Sequence, residues 1–345
     1  MARIDPNAIR QGNRLALSRA LTAVENNEPA GQDVLSALFP LTGQAHLVGV
    51  TGAPGTGKST LVNQLAKTFR QAENEKDAPN VAIIAVDPTS PFTGGALLGD
   101  RIRMQDLAGD KGVFIRSMAS RGALGGLAHS TAAFATLLDG AGFNLIFIET
   151  VGAGQAEVDI AQLAHTVVVV EAPGMGDDIQ AIKAGILEIA DILVVNKADK
   201  PGSDNTARAL QAMLEMAHGL GSLPPAGKHL PITFKESMVD TEAASQRWDP
   251  PVQLITATER KGVNSLVQAI KAHRDYLRES GLWQTKEANR LQKDLEALIR
   301  DALVTEWRQA LDEEQFASVL DEMVQRKCSP IEAMELLLGR RKMSL

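Results

Sequence analysis

Between residues 46 and 257 short apolar runs alternate with longer stretches of helical periodicity. The runs are HLVGVT (46–51), VAIIAVD (81–87), VFIR (113–116), NLIFIET (144–150), TVVVVEA (166–172), DILVVN (191–196) and VQLITA (252–257). They are nearly continuous rather than alternating and rich in β-branched residues, the pattern of strands covered on both faces. Strands of this kind separated by helical segments predict an α/β fold with a mostly parallel sheet wound with helices.

The flanks read differently. Asp5-Pro6 is a helix-start signal, and Ile9, Leu15, Leu17, Ala20, Leu21 and Val24 recur after it at mostly helical spacings. This predicts an N-terminal helical extension over residues 1–43, of about two helices ending near Pro40. Residues 218–250, rich in Gly, Pro and polar side chains, read as a long irregular insertion within a core of residues 44–280. Residues 281–345 form a C-terminal helical arm: Leu291, Leu295, Leu298 and Ile299 lead to Trp307, and SPIEAMELLLG opens with a Ser-Pro helix signal at Ser329. The arm is too thin to fold alone, and a second copy or the chain's own core would equally give it a surface.

Composition narrows the class. The 345 residues are 44% hydrophobic and 22% charged, as in ordinary globular proteins. With a net charge of -7 and no basic block beyond Arg340-Arg341-Lys342, no nucleic acid is expected as partner. The single cysteine, Cys328, rules out an intrachain disulfide or a CxxC site and reads as a small buried hydrophobe. No segment approaches the roughly 20 apolar residues that span a bilayer, so no membrane is expected. The start, MARIDPNAIRQGN, carries no signal-peptide run, which points to a cytoplasmic protein, or a matrix one whose targeting segment has been removed.

The chemistry starts at Gly52-Ala53-Pro54-Gly55-Thr56-Gly57-Lys58-Ser59-Thr60, which fits G-x-x-x-x-G-K-[ST] and lies between an apolar strand and the helical run LVNQLAKTF. Glycines let successive N–H groups curl around phosphates, and the following helix adds its positive N-terminal end. Lys58 is expected to reach the β- and γ-phosphates and the Ser59 hydroxyl to take a Mg²⁺ position. The sheet is thus a P-loop NTPase sheet with N-terminal and C-terminal helical extensions. Asn196-Lys197-Ala198-Asp199, after DILVVN, matches the N-K-x-D element that reads guanine. A carboxylate accepts from guanine N1–H and its exocyclic amine, and leaving that buried group unpaired against adenine costs about 1–3 kcal/mol, so Asp199 selects GTP. Thr256, Ala257 and Thr258, ending the last strand, are expected to offer backbone contacts to the base.

Acids at strand ends come next. Asp87 closes VAIIAVD and Glu149 closes NLIFIET, at the carboxyl edge where open α/β sheets bind ligands. Either could hold Mg²⁺ directly or through water. Gly152 to Gln155 form a turn able to move with the γ-phosphate, and Gln155 reads either as a water-orienting side chain or as a polar loop residue.

With those residues in view, the chain resembles the MeaB/ArgK/MMAA family of GTPases. The resemblance rests on the P-loop, VDPTSPFTGGALLGDRIRM, RSMASRGALGGLA, ETVGAGQAEVDIA and EAPGMGDDIQAIKAGILEIADILVVNKAD. It implies a GTP-hydrolysing chaperone of a cobalamin-dependent acyl-CoA mutase, usually methylmalonyl-CoA mutase, which gates cofactor loading and protects the mutase, and which cycles between GTP and GDP as a homodimer built with the terminal arms. It assigns Asp87 and Asp100 to the acids of a first switch, Glu149 to the acid of ETVG, and Ala172 to Lys183, with Asp177 and Asp178, to a further switch that responds to the mutase. Arg101, Arg103, Arg116 and Arg121 are candidates for the neighbourhood of the phosphates. Two other functions remain: a metallochaperone GTPase, for which the six scattered histidines make no cluster, and an ArgK-like kinase, for which no second substrate site is recognisable.

Overall fold

The computed structural model describes residues 4–71, 78–88, 104–107, 109–120, 126–150, 155–174, 188–219 and 247–339. All seven apolar runs are strands: β1 (His46–Thr51), β2 (Val81–Pro88), β3 (Val113–Ser120), β4 (Leu145–Glu149), β5 (Thr166–Glu171), β6 (Ile192–Asn196) and β7 (Val252–Ile255). They form one sheet in the order β3-β2-β4-β1-β5-β6-β7, every pairing parallel. The chain leaves β1 for β2 on one side and later enters β5 on the other. The carboxyl end of β1 is therefore a switch of direction, the place where open α/β sheets bind ligands.

Alternation along the strands divides the core between the two faces. On one face Val48, Val50, Ile83, Phe147 and Val168 pack with Leu61 and Leu65 of α4 (Lys58–Arg70) and with Leu266 and Ile270 of α8 (Val263–Glu279). On the other, Leu47, Ile84 and Ile146 meet Phe134 and Leu137 of α5 (Gly126–Gly140). Toward β6, Val169 and Leu193 pack on Leu210 and Leu214 of α7 (Ser203–Gly219), while α6 (Gln155–Leu163) brings Ile160 to the second cluster.

The N-terminal extension has three helices where the periodicity suggests about two: α1 (Pro6–Arg10), α2 (Arg14–Glu25) and α3 (Pro29–Leu38). Gly12, at φ 84°, and Asn13, which caps α2 by accepting from the N–H groups of Leu15 and Ala16, interrupt what reads as a single helix. Leu17, Leu21, Val34 and Leu38 join the core on the α5 face. Asp139 of α5 accepts from the N–H groups of Gly43, Gln44 and Ala45, fixing the entry into β1.

At the amino ends of the strands lies a buried polar network. Thr166 Oγ1 stands 2.7 Å from His46 Nε2 and 2.8 Å from His273 Nδ1. His165 stacks on Trp283 with ring centroids 3.9 Å apart and reaches Glu287 Oε1 at 2.7 Å, while Lys286 Nζ donates to the His165 carbonyl. Glu287 also receives Arg290, whose Nη1 donates to Thr136 Oγ1. Trp283 to Arg290 belong to α9 (Leu282–Ala310), whose first turns are held to the core by these groups.

Residues 1–290 and 291–345 make two compact units. The second contains the later part of α9, then α10 (Glu313–Val324), capped by Asp312, and α11 (Pro330–Leu337), which starts in a capping box between Ser329 and Glu332. Trp307 Nε1 donates to the Leu337 carbonyl, and Val319 and Ala333 are buried. Leu303, Val324 and Ile331 are exposed at 60%, 73% and 68%.

Candidate nucleotide and metal site

The loop after β1 is shaped by two glycines. Gly52 has φ 136°, and a Cβ there would lie 2.0 Å from the Val170 carbonyl oxygen; Gly57 has φ 92°, and a Cβ would lie 2.5 Å from Asn196 Nδ2. Only glycine suits either position. Lys58 opens α4, is 6% exposed, and donates through Nζ to the carbonyls of Gly52 and Ala53, both at 2.9 Å. Thr56 Oγ1 donates to the Ala53 carbonyl at the same distance. The ammonium thus sits over the loop at the N-terminus of a helix, where charge and helix dipole add.

Ser59 follows, 7% exposed, and its Oγ donates to Glu149 Oε1 at 2.5 Å. The sheet brings them together: Glu149 ends β4 and pairs in register with Val50, directly before the loop. A buried hydroxyl beside a buried carboxylate is an all-oxygen donor set of the kind Mg²⁺ prefers, and the two residues fit that ion. Asp87 lies on β2 two residues beyond Ala85, the register partner of Glu149. The Asp87 side chain and all of Asp100 lie outside the described residues, as do the Gln155 side chain, Gly152 and residues 175–187 with Asp177, Asp178 and Lys183.

The N-K-x-D element is joined to the phosphate loop by its own side chains. Asn196, 2% exposed at the end of β6, donates from Nδ2 to the Thr56 carbonyl at 2.8 Å and accepts at Oδ1 from the N–H of Ala257 at 3.1 Å. Lys197, with φ 57°, donates from Nζ to the Gly55 carbonyl at 2.6 Å. Asp199 is exposed, not buried as its selectivity argument supposes. Its penalty against the wrong base therefore arises only once a base covers it. In the loop after β7 the N–H of Thr256 goes to the Lys261 carbonyl and that of Ala257 to Asn196, so both already shape the loop; Thr258 is exposed beside them.

Of the four arginines, Arg116 is committed elsewhere: Nη2 donates to Glu25 Oε2 at 2.7 Å and to Thr22 Oγ1 at 3.3 Å in α2. Arg101, Arg103 and Arg121 lie outside the described residues. Sequence reasoning missed the bridge made by Asn196. It also missed the polar stripe of α4 below Ser59, although the spacing Ser59, Asn63, Lys67 was there to show that these share one helix face.

Relatives place this geometry. A Pyrococcus abyssi protein named as a putative GTPase is 42% identical over 96% of this chain and 94% of its own length. The GTPase ArgK of Escherichia coli is 34% identical over 80% of this chain and 77% of its own. Among solved structures, a LAO/AO transport system kinase superposes with a TM-score of 0.65 at 26% identity, over 97% of this chain and 95% of that one. Residues 17–312 match the family model described as methylmalonyl Co-A mutase-associated GTPase MeaB, and the chain belongs to that family of P-loop GTPases.

Proposed function

We propose that this GTPase is a chaperone of a cobalamin-dependent acyl-CoA mutase, methylmalonyl-CoA mutase in the first instance, and that its GTP cycle gates cofactor loading and protects the mutase. The observation that carries the reading is the bridge from Asn196 to the Thr56 carbonyl, because it couples the guanine-reading element to the phosphate loop within a chain of the mutase-associated family.

Lys58 neutralises charge growing on the β- and γ-phosphate oxygens, and Asp199 accepts from the guanine edge. Ser59 and Glu149 would hold Mg²⁺, with Asp87 and Asp100 as the further acids. Once bound there, the ion would supply neutralisation of the phosphate charge. Hydrolysis forms a bond from water oxygen to the γ-phosphorus and breaks the bond to the β,γ-bridging oxygen; the proton leaves with phosphate, and Gln155 orients the water. Loss of the γ-phosphate then releases the loops around Asp87, Asp100 and Gly152 to Gln155.

The apolar positions Leu303, Val324 and Ile331 on the second unit, exposed in one copy, suit a homodimer with a second copy of the chain. Among the described residues no helix is long and apolar enough to cross a membrane. The working compartment proposed is the cytoplasm.

The test is phosphate release from GTP and from ATP by the purified protein, alone and with a cobalamin-dependent acyl-CoA mutase of the same genome. GTP-selective release that rises with the mutase supports the reading. Release indifferent to every such mutase removes the partner, and transfer of the γ-phosphate to a protein or metabolite replaces the reading with a kinase.

A further inference from the structure

The face of α4 that starts at Ser59 continues through Asn63, Lys67 and Arg70, at the helical spacings that put side chains one above another. Below Ser59 this stripe grips the stretch by which the chain returns to the edge strand β3. Asn63 Nδ2 donates to the two carboxylate oxygens of Asp106, at 3.1 and 3.4 Å, and Lys67 Nζ pairs with the same carboxylate. Arg70 donates through Nε and Nη2 to the two oxygens of Asp110, each at 2.9 Å. Lys67 holds the carboxyl of Asp106, and Arg70 that of Asp110, below the usual carboxylate range.

Apolar anchors flank the carboxylates. Met104 and Leu107 are buried in the cluster that contains Leu61 and Leu65 of α4. From α2, Arg14 Nη2 donates to the carbonyls of Asp110, Lys111 and Val113, at 2.8, 2.8 and 2.7 Å. The return stretch is therefore clasped from both sides, and among the described residues the contact it makes with the Ser59 stripe nearest the phosphate loop is that of Asp106.

We propose that Asp106 is a positioning residue for GTP hydrolysis: through Asn63 and Lys67 it fixes the stretch from Met104 to Leu107, which follows Asp100 in the chain, on the helix face that presents Ser59. Asp100 precedes Met104 by four residues in the sequence. The inference rests on the reading of Asp100 as an acid of the first switch. Because the Lys67–Asp106 pair is partly exposed, with side-chain exposures of 27% and 49%, its removal is expected to cost little global stability, which the thermal midpoint reads.

The experiment measures GTP turnover, GDP affinity and thermal midpoint in the full chain for Asp106→Ala, Asp106→Asn, the exchanged pair Lys67→Asp with Asp106→Lys, and Asp100→Ala. In Asp106→Ala, kcat should fall about tenfold while GDP affinity stays within about twofold, since misplacement costs the chemical step rather than ground-state binding. Asp106→Asn, which keeps the shape and loses the charge, should fall less, and the exchanged pair should recover much of the loss. Unchanged turnover in both Asp106 variants, with turnover abolished in Asp100→Ala, overturns the positioning role and keeps the switch. Unchanged turnover in Asp100→Ala overturns the reading beneath it. A parallel loss of kcat, GDP affinity and midpoint, unrelieved in the exchanged pair, makes Asp106 a structural support and also overturns the proposal.

Discussion

The main-chain N–H of Leu47 donates to Nδ1 of His165 at 3.0 Å, which leaves the ring proton on Nε2, facing Glu287 Oε1 at 2.7 Å. The ring is neutral in this arrangement, because a proton on Nδ1 would break the bond from β1. His273 is held the same way, with Nε2 3.3 Å from Asp191 Oδ1 and Nδ1 taking the Thr166 hydroxyl, which in turn leaves Thr166 to accept from His46. Every ring is thus fixed in one tautomer by a partner on another element.

A pH dependence of stability follows. Burial lowers the pKa of His46 and His165, and lowers that of His273 from 6.5 to about 4 against the pull of Asp191; Lys286, Arg274, Arg278 and Arg290 add positive charge around the three rings. Below pH 6.5 the unfolded chain takes up protons that the folded rings refuse, so stability falls with pH until His273 itself titrates near 4. Glu287 continues the loss: burial opposes its ionisation, but His165 and Arg290 outweigh that and hold it at about 2, so its contribution disappears between 4.5 and 2. Urea unfolding at pH 7.5 and pH 5 should differ by about 2 kcal/mol from His273 alone. Equal stabilities at the two values would sink the assignment of neutral rings.

Lys58→Ala removes the ammonium over the phosphate loop. Turnover of GTP should fall by roughly 10²–10³, the usual cost of losing one preorganised donor to developing charge. A steady-state phosphate assay checks this, and wild-type turnover would remove Lys58 from the mechanism.

Asn196→Ala deprives the Thr56 carbonyl and the Ala257 N–H of their shared partner. Two buried groups lose a hydrogen bond, so a destabilisation of about 1–3 kcal/mol is expected together with weaker binding of GTP and GDP. Calorimetric melting and nucleotide titration on the same sample read both effects, and a change in only one of them would show that the bridge does not couple the two loops.

Asp199→Asn replaces an acceptor-only group by one that also donates. Preference should move from GTP toward xanthosine triphosphate, whose 2-oxo group accepts where guanine donates. Retained GTP selectivity in a competition assay would assign base recognition to other residues.

Much of the fold was legible because parallel strands buried on both faces cannot hide their apolar runs: TVVVVEA and NLIFIET read as strands on composition alone. The phosphate loop was legible for a different reason, since Gly52 and Gly57 occupy backbone conformations closed to other residues, and such constraints leave short, rigid motifs. The third N-terminal helix was less visible, because Gly12 and Asn13 break an apolar rhythm that continues across them. The network of His46, Thr166, His165 and Glu287 left no local trace, being assembled from positions more than a hundred residues apart. The exposure of Asp199 is likewise a matter of tertiary placement, which the tetrapeptide does not encode.

The packing of α2 and α3 against α5 also sets an order of events during synthesis. These helices precede α5 in the chain, so the cluster of Leu17, Leu21, Val34 and Leu38 is completed only when Phe134 and Leu137 have been made. At the usual pace of translation that interval is on the order of ten seconds. The newborn chain therefore leaves part of that apolar layer uncovered for that time.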